Sequence, residues 1–371
     1  VPYLKAAGEL KTKPTQHSVK TLYEIGLQPD ILVCRAEVPI EDSIRKKIAL
    51  FCNVDREDVI ASLDAHSIYE VPLLMKEEGL DERVIKKLGL HTSTEPELEN
   101  WRNFVDKVIN PSQVISIALV GKYVEHHDSY KSITEALIHA GAINDCKVDV
   151  RWIQSDDLTE KNVAKKLKGI SGILVAPGFG GRGIKGKVEA VKYARENNIP
   201  FFGICLGMQV SVIEFARNVC GLEGANSTEF DDKSPYPIIH MMHEQRGITK
   251  KGGTMRLGLY RCHLKEGTKV AQAYGEAEIA ERHRHRFEVN NDIRYKLVEN
   301  GLTFAGINPE KDLVEIIELP SHRWYVGTQF HPEYRSTVGK PHPLFCSFVA
   351  AAKGYATEFE IIKPYEKKSH S

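Results

Sequence analysis

The sequence predicts an α/β protein with a mostly parallel central sheet, and three observations lead there. Short apolar runs alternate with segments whose apolar residues recur at helical spacing, the pattern of a parallel sheet covered on both faces. Val114–Gly121 is apolar at almost every position, as a fully buried strand requires. Strand candidates run into glycine, at Gly121 and in the loop after Val175, where the chain must turn sharply.

In chain order, Pro29–Cys34 is a strand-like run. Ile40, Ile44, Ile48 and Phe51 repeat at helical intervals, and Val59–Ser62 is a second, shorter strand candidate. Tyr69–Leu88 is polar and helical. A linker at 91–95 opens into a connecting helix marked by Trp101, Phe104, Val105 and Val108, which Asn110-Pro111-Ser112 ends. From Val114 the pattern continues as a helix over 132–142, a strand over 147–153, a helix over 163–167 and a strand over 172–175. A glycine loop, a helix over 188–197 and the strand Pro200–Ile204 follow. After Gly253 the elements turn strand-like, and Tyr325–Phe330 is a short strand before a loop. From about Gly354 the chain is polar and peripheral. The domains expected are therefore 1–93, a linker helix at 94–112, a larger domain at 113–353 and a tail at 354–371.

Composition narrows the function classes. The 371 residues allow two or three domains at about 100–200 residues each. With 50 Lys+Arg against 50 Asp+Glu, bulk attraction to nucleic acid or an anionic membrane has no support. No apolar run approaches the ~18 residues of a membrane span, and no signal segment opens the chain. The 7 cysteines are odd in number, scattered and free of C-x-x-C, so the reading is a reduced, cytoplasmic, soluble protein. The first residue is Val1, and the chain reads as if cut from something longer.

The strongest local signal is Gly203-Ile204-Cys205-Leu206-Gly207-Met208-Gln209, after a strand and before an apolar helix. Glycines two before and two after a cysteine permit the tight strand-to-helix turn of a nucleophile elbow. The helix N-terminus favours the thiolate, and the Leu206 N–H is placed to donate to an oxyanion. Gln329-Phe330-His331-Pro332-Glu333 follows a strand and supplies what a thiol needs: an imidazole base and a carboxylate to orient it. The loop Ala176–Gly183 satisfies G-x-G-x-x-G and nearly matches a Walker A motif at Gly181, Gly186 and Lys187. Val188, however, stands where Ser or Thr should hold magnesium. Its better reading is an oxyanion-hole strand end around Gly178. Glu281–Arg286 alternates, so Arg282, Arg284 and Arg286 share one strand face and His283 and His285 the other. The arginine face suits a substrate carboxylate, and a metal cluster or a plain solvated face are the alternatives.

Together these segments resemble the CTP synthase family, whose C-terminal half is a class I glutamine amidotransferase domain. The elbow and the His-Pro-Glu are common to class I amidotransferases. The Asn-Ser-Thr-Glu-Phe at 226–230, Gly-Gly-Thr-Met-Arg-Leu-Gly at 252–258 and Glu-Arg-His-Arg-His-Arg-Phe-Glu-Val-Asn at 281–290 are more specific. Gly8–Val19 is similar to the family's pyrimidine-nucleotide segment, and Lys47–Cys52 is a further match.

The resemblance implies a partial P-loop-type synthetase domain followed by a flavodoxin-like, doubly wound amidotransferase domain. It implies ATP-dependent amination of UTP to CTP with ammonia from glutamine. Cys205 would be the nucleophile, His331 the acid/base and Glu333 its orienter. Gly178 and the backbone of Leu206, Gly207, Met208 and Gln209 would bind glutamine, with Glu229 and Arg286 at its amino-acid end. Lys11, Thr12, Lys13, Pro14, Thr15, Gln16 and Lys47 would contact UTP or inhibitory CTP. Leu63, Asp64 and Ala65 would lie by the ATP base. The loop from Arg182 to Lys187 resembles the region linked to activation by GTP. Mg2+ would accompany ATP on ligands outside these residues. Family members form dimers, tetramers and filaments. Pro177 departs from the second glycine of many members, so the oxyanion donor falls to the Gly178 N–H, since proline has none. The family's ATP phosphate loop is not recognisable, so this chain alone is expected to be at most a glutaminase. A free-standing amidotransferase or γ-glutamyl hydrolase and a non-catalytic assembly protein are the rival functions.

Overall fold

The computed structural model describes residues 1–92, 94–241 and 255–358, and the chain divides into two compact units, Val1–Ile109 and Asn110–Ser371. Part of the Gly-Gly-Thr-Met segment and most of the expected tail lie outside the described residues.

The first unit opens with the short hairpin of β1 (Tyr3–Leu4) and β2 (Glu9–Leu10). Helix α1 (Lys13–Glu24) comes next, with Pro14 in its first turn, where a missing N–H costs nothing. Strand β3 (Leu32–Ala36), helix α2 (Asp42–Cys52) and strand β4 (Val59–Leu63) form a parallel β-α-β unit, with Cys34 opposite Ala61. Val19, Ile48, Cys52 and Val59 are buried between these elements. The polar stretch after Tyr69 is two helices, α3 (Val71–Glu77) and α4 (Leu80–Lys87), divided at Gly79, whose φ of 75° breaks the helical run. Helix α5 (Glu99–Ile109) closes the unit: Trp101 Nε1 donates to the Tyr69 carbonyl at 2.7 Å, and Phe104 meets the Tyr69 ring edge-on.

The second unit begins with β5 (Val114–Gly121), α6 (Lys131–Ile143), β6 (Lys147–Gln154), α7 (Val163–Lys166) and β7 (Gly172–Val175). Next come α8 (Ile184–Glu196), β8 (Phe201–Ile204), α9 (Leu206–Asn218), β9 (Asn226–Ser227) and β10 (Pro237–Met241). Beyond 255 lie β11 (Arg256–Leu264), α10 (Lys269–Tyr274), β12 (Glu278–His285), β13 (Phe287–Val289) and α11 (Tyr295–Glu299). The last elements are β14 (Thr303–Asn308), β15 (Leu313–Glu318), β16 (Tyr325–Thr328) and α12 (Pro343–Glu358). Helix α8 starts four residues before the expected Val188, and α12 carries on past Gly354 into the segment read as tail.

The main sheet runs β12-β11-β14-β15-β16-β8-β7-β5-β6. Its parallel part, β6-β5-β7-β8-β16, has the strand order of a flavodoxin-like doubly wound fold. The four strands from β15 to β12 extend it antiparallel. One core lies against α8 and α9, and the other against α6 and α12, so both faces are covered. In open α/β sheets ligands bind beyond the carboxyl ends of the strands, near the point where the strand order reverses. Here that edge gathers the chain just after β5, β7, β8 and β16.

At the end of β8 the chain turns at Cys205, a non-glycine residue at φ 52° and ψ −102°. The flanking glycines keep negative φ and serve closeness of approach instead. A Cβ on Gly207 would overlap the Val175 carbonyl oxygen, and one on Gly203 would lie 2.7 Å from the Gly207 carbonyl carbon. Gly207→Ala should therefore push α9 off β7 and destabilise the second unit by about 3 kcal/mol or more. An unchanged midpoint of chemical denaturation would show that this contact relaxes freely.

Candidate active site

The site is assembled from four strand ends. Cys205 stands on the elbow with its side chain buried. His331 and Glu333 follow β16, and His331 Nδ1 lies 2.8 Å from Glu333 Oε1, both side chains buried. That bond places the proton of a neutral ring on Nδ1 and leaves Nε2 for the thiol. Nε2 has no hydrogen-bond partner among the described residues, yet the Cys205 sulfur is near enough to raise the proton affinity of the ring. Burial alone would drive the proton off His331, but the Glu333 carboxylate and the Cys205 sulfur together hold it well above the usual imidazole range. The ring is further fixed by stacking on Tyr334 and by a backbone bond from the His331 N–H to the Arg282 carbonyl at 2.8 Å.

Opposite the thiol is the loop after β7. A Cβ on Gly178 would meet Leu206 Cδ2 at 3.6 Å, so the two expected oxyanion donors come from adjacent stretches of chain. Buried and half-buried charged groups hold this loop. Lys122, at the end of β5, donates to the Phe179 carbonyl at 2.6 Å and also to that of Gly180. Glu229 Oε1 accepts from the Gly180 N–H at 2.7 Å, and Lys187 Nζ donates to the Ala176 carbonyl at 2.6 Å. Burial draws both lysines below the usual ammonium range, Lys187 to about 7, and lifts the Glu229 carboxyl above its usual range. Arg286 is close enough to Glu229 to oppose that rise, so the expected glutamine-binding pair shares one locality with the loop.

Lys187 thus answers the Walker A resemblance: its ammonium lies inside the unit, bonded to a backbone carbonyl, and cannot present a charge to phosphate. Gly186 is required for packing, since a Cβ there would overlap the Ser155 carbonyl oxygen. Arg182 stays at the surface over the Tyr123 ring. The alternation holds along β12, with Arg282 and Arg284 exposed and His283 and His285 buried, whereas Arg286 falls in the bend after the strand and is half-buried. His283, His285 and Glu315 bring their donor atoms within 4.8 Å of one another, a spacing compatible with a metal ion. Arg256, however, already bonds Glu315 at 2.6 Å and supplies the buried positive charge. His283 and His285 bond each other at 2.9 Å.

In the first unit, Thr12 is buried ahead of α1, Lys13–Gln16 form its first turn, and Gln16 Nε2 donates to Thr12 Oγ1 at 3.2 Å. Lys11 pairs with Glu9, and Lys47 of α2 acts on the same carboxylate, holding it below the usual range after Lys11. Leu63, Asp64 and Ala65 lie at the end of β4, where Asp64 Oδ1 accepts from Arg35 Nε at 3.1 Å. The sequence reading passed over Lys122 and assigned no role to Gln329. A lysine directly after a strand-terminal glycine was the available signal for the first; for the second there was only its place beside His331.

Residues 125–351 match the family described as Glutamine amidotransferase class-I, and residues 1–90 match CTP synthase N-terminus. CTP synthase of Cytophaga hutchinsonii is 59% identical over 356 residues, 96% of this chain and 66% of the relative. CTP synthase of Salinibacter ruber is 54% identical over 379 residues, 100% of this chain and 67% of the relative. The chain thus spans about two thirds of the length of the curated relatives it matches. Among solved structures, the glutaminase domain of Trypanosoma brucei CTPS with bound acivicin aligns at a TM-score of 0.61 and 35% identity. That alignment covers 69% of this chain and 98% of the other. With one match to the N-terminal part and another to the amidotransferase part, the chain belongs to the CTP synthase family and carries its class I glutamine amidotransferase domain.

Proposed function

We propose that the second unit hydrolyses glutamine at Cys205, His331 and Glu333, and that the ammonia serves the amination of UTP to CTP. The observation that carries the first part is the 2.8 Å His331–Glu333 bond beside a cysteine on a strained elbow. His331 takes the thiol proton, and the thiolate attacks the side-chain amide carbon of glutamine. The N–H groups of Gly178 and Leu206 receive the oxyanion, as their adjacency supports. His331 then gives its proton to the leaving ammonia, and a thioester remains. Water, activated by the same imidazole, releases glutamate and restores the thiol. Arg286 and Glu229 bind the carboxylate and ammonium of the substrate.

The first unit supplies part of the nucleotide site. Lys11, paired with Glu9, and Lys47, whose charge also acts on that carboxylate, suit the triphosphate of UTP or of inhibitory CTP, with Thr12–Gln16 next to Lys11 in the chain. Leu63–Ala65 lie by the base of ATP, which acts with Mg2+, and GTP activates through the loop beginning at Arg182. The active form is an oligomer, as in the family.

Cys205→Ala should abolish ammonia release from glutamine, because no other group replaces the thiolate. Release at the parent rate would remove the cysteine from its role. Glu333→Gln should retain more turnover, and its effect has a definite sign. Glu333 raises the proton affinity of His331, so its loss lowers the pH at which the acid form disappears. The alkaline limb of the glutamine turnover profile should then move down by about 1–3 pH units. An alkaline limb that stays in place would sink the orienting role.

Within these residues no glycine loop ends in Lys-Ser or Lys-Thr, and the near match spends its lysine on Ala176. Supplied with UTP, ATP, Mg2+ and ammonia, this chain on its own should therefore form no CTP. CTP detected by chromatography would mean that phosphate transfer is served by residues not assigned here.

A further inference from the structure

Gln329 lies between β16 and His331 and is wholly buried. Its Nε2 approaches Cys205 Sγ at 3.7 Å, within range of an N–H···S bond. Its Oε1 lies 3.1 Å from Gln209 Nε2, which also lies 2.9 Å from the Phe287 carbonyl oxygen. Amide nitrogen and oxygen look alike, so orientation has to be settled by the partners. A backbone carbonyl only accepts, so the Phe287 oxygen fixes the Gln209 amide with its NH2 inward. That NH2 meets the Gln329 amide as a donor, so Gln329 must turn Oε1 toward it and its own NH2 toward the sulfur. The reverse orientation would set two NH2 groups against each other and a carbonyl oxygen against a thiolate.

We infer that Gln329 is a further catalytic residue, donating a hydrogen bond to the Cys205 thiolate, and that Gln209 is the positioning residue that aims it. This rests on the reading of Cys205 as nucleophile. When His331 takes the thiol proton, the sulfur carries a full negative charge in a site closed to water. A fixed N–H beside it does there what solvent would do for an exposed thiolate. The relay begins at a main-chain atom, so the donor is in place before substrate arrives. It also gives the buried Gln209 side chain a function separate from any contact its backbone makes with glutamine.

The test uses the full chain and iodoacetamide, with alkylation of the Cys205 peptide followed by mass spectrometry. Gln329→Met keeps the side-chain volume and removes the donor. At pH 7 it should slow alkylation about tenfold, the worth of one hydrogen bond to a charged group. The deficit should close as pH rises, because the thiolate then forms without help. Gln209→Met should slow it less, and the double variant should be no slower than Gln329→Met. If Gln329→Met fails to fold, as judged by thermal melting, Gln209→Met decides alone by the same closing deficit. A rate equal to the parent at pH 7, or a deficit equal at every pH, overturns the inference. Glutamine turnover plays no part in this readout. If the parent releases no ammonia but Gln329→Met shifts alkylation, the glutaminase reading fails and the relay stands. Ammonia release with unshifted alkylation has the opposite meaning.

Discussion

Everything at the site depends on one turn of backbone. Cys205 occupies a φ that an L side chain resists, and the turn persists because the chain on either side has no alternative. Gly207 sits against the Val175 carbonyl and Gly203 against Gly207, so α9 leaves β8 at the closest approach two backbones allow. The register of the parallel strands then sets what faces the thiol. Val175 stands opposite Gly203 and Thr328 opposite Ile204, so the chain after β7 and after β16 emerges on either side of Cys205. A slip of one residue in either pairing would turn Gly178 or His331 away from the sulfur.

Burying so much charge beside an apolar core is costly, and the way each group is satisfied tells what it does. Lys122, Lys187 and Glu229 all bond to main-chain atoms between Ala176 and Gly180. A glycine-rich loop left to itself would sample many conformations. Two buried lysines and the half-buried Glu229 tie it down at Ala176, Phe179 and Gly180. Arg256 and Glu315 play a different part. They form a buried ion pair, and the bonded imidazoles of His283 and His285 continue the polar layer on β12, the strand that leads into Arg286.

The legible parts of the sequence were those whose cause is local. Strands β5, β7 and β8 could be read because each is an apolar run bounded by turn residues, β6 because its apolar residues alternate with polar ones, and the elbow because its motif is contiguous with both the strand and the helix it joins. The alternation along β12 was legible for the same reason. Helix α1 was not, because it buries only Val19 and so carries little apolar periodicity. The division at Gly79 was hidden in a stretch polar enough to pass for one helix. Lys187 and Gln329 were illegible in another way. Their meaning comes from burial and from partners distant in sequence, Ala176 in one case and Gln209 and Cys205 in the other. Nothing in a row of letters distinguishes a lysine that faces solvent from one that holds a carbonyl inside the fold.

The glycine loop after β7 shows why motif and function separate. Phosphate binding and oxyanion binding ask the same thing of a strand end: main-chain N–H groups pointed at developing or permanent negative charge, with no side chain in the way. The spacing of glycines at 178, 180 and 183 suits either anion, so G-x-G-x-x-G cannot choose between them, and in the fold the Gly180 N–H is already taken by Glu229. The choice falls to the neighbours. A phosphate site needs mobile positive charge facing outward and a hydroxyl for the metal; here Lys187 is turned inward and Val188 follows it. An acyl-transfer site needs a nucleophile within reach of the same N–H groups, and Leu206, next to Cys205, packs beside Gly178. The neighbours of this loop thus favour acyl transfer over phosphate binding.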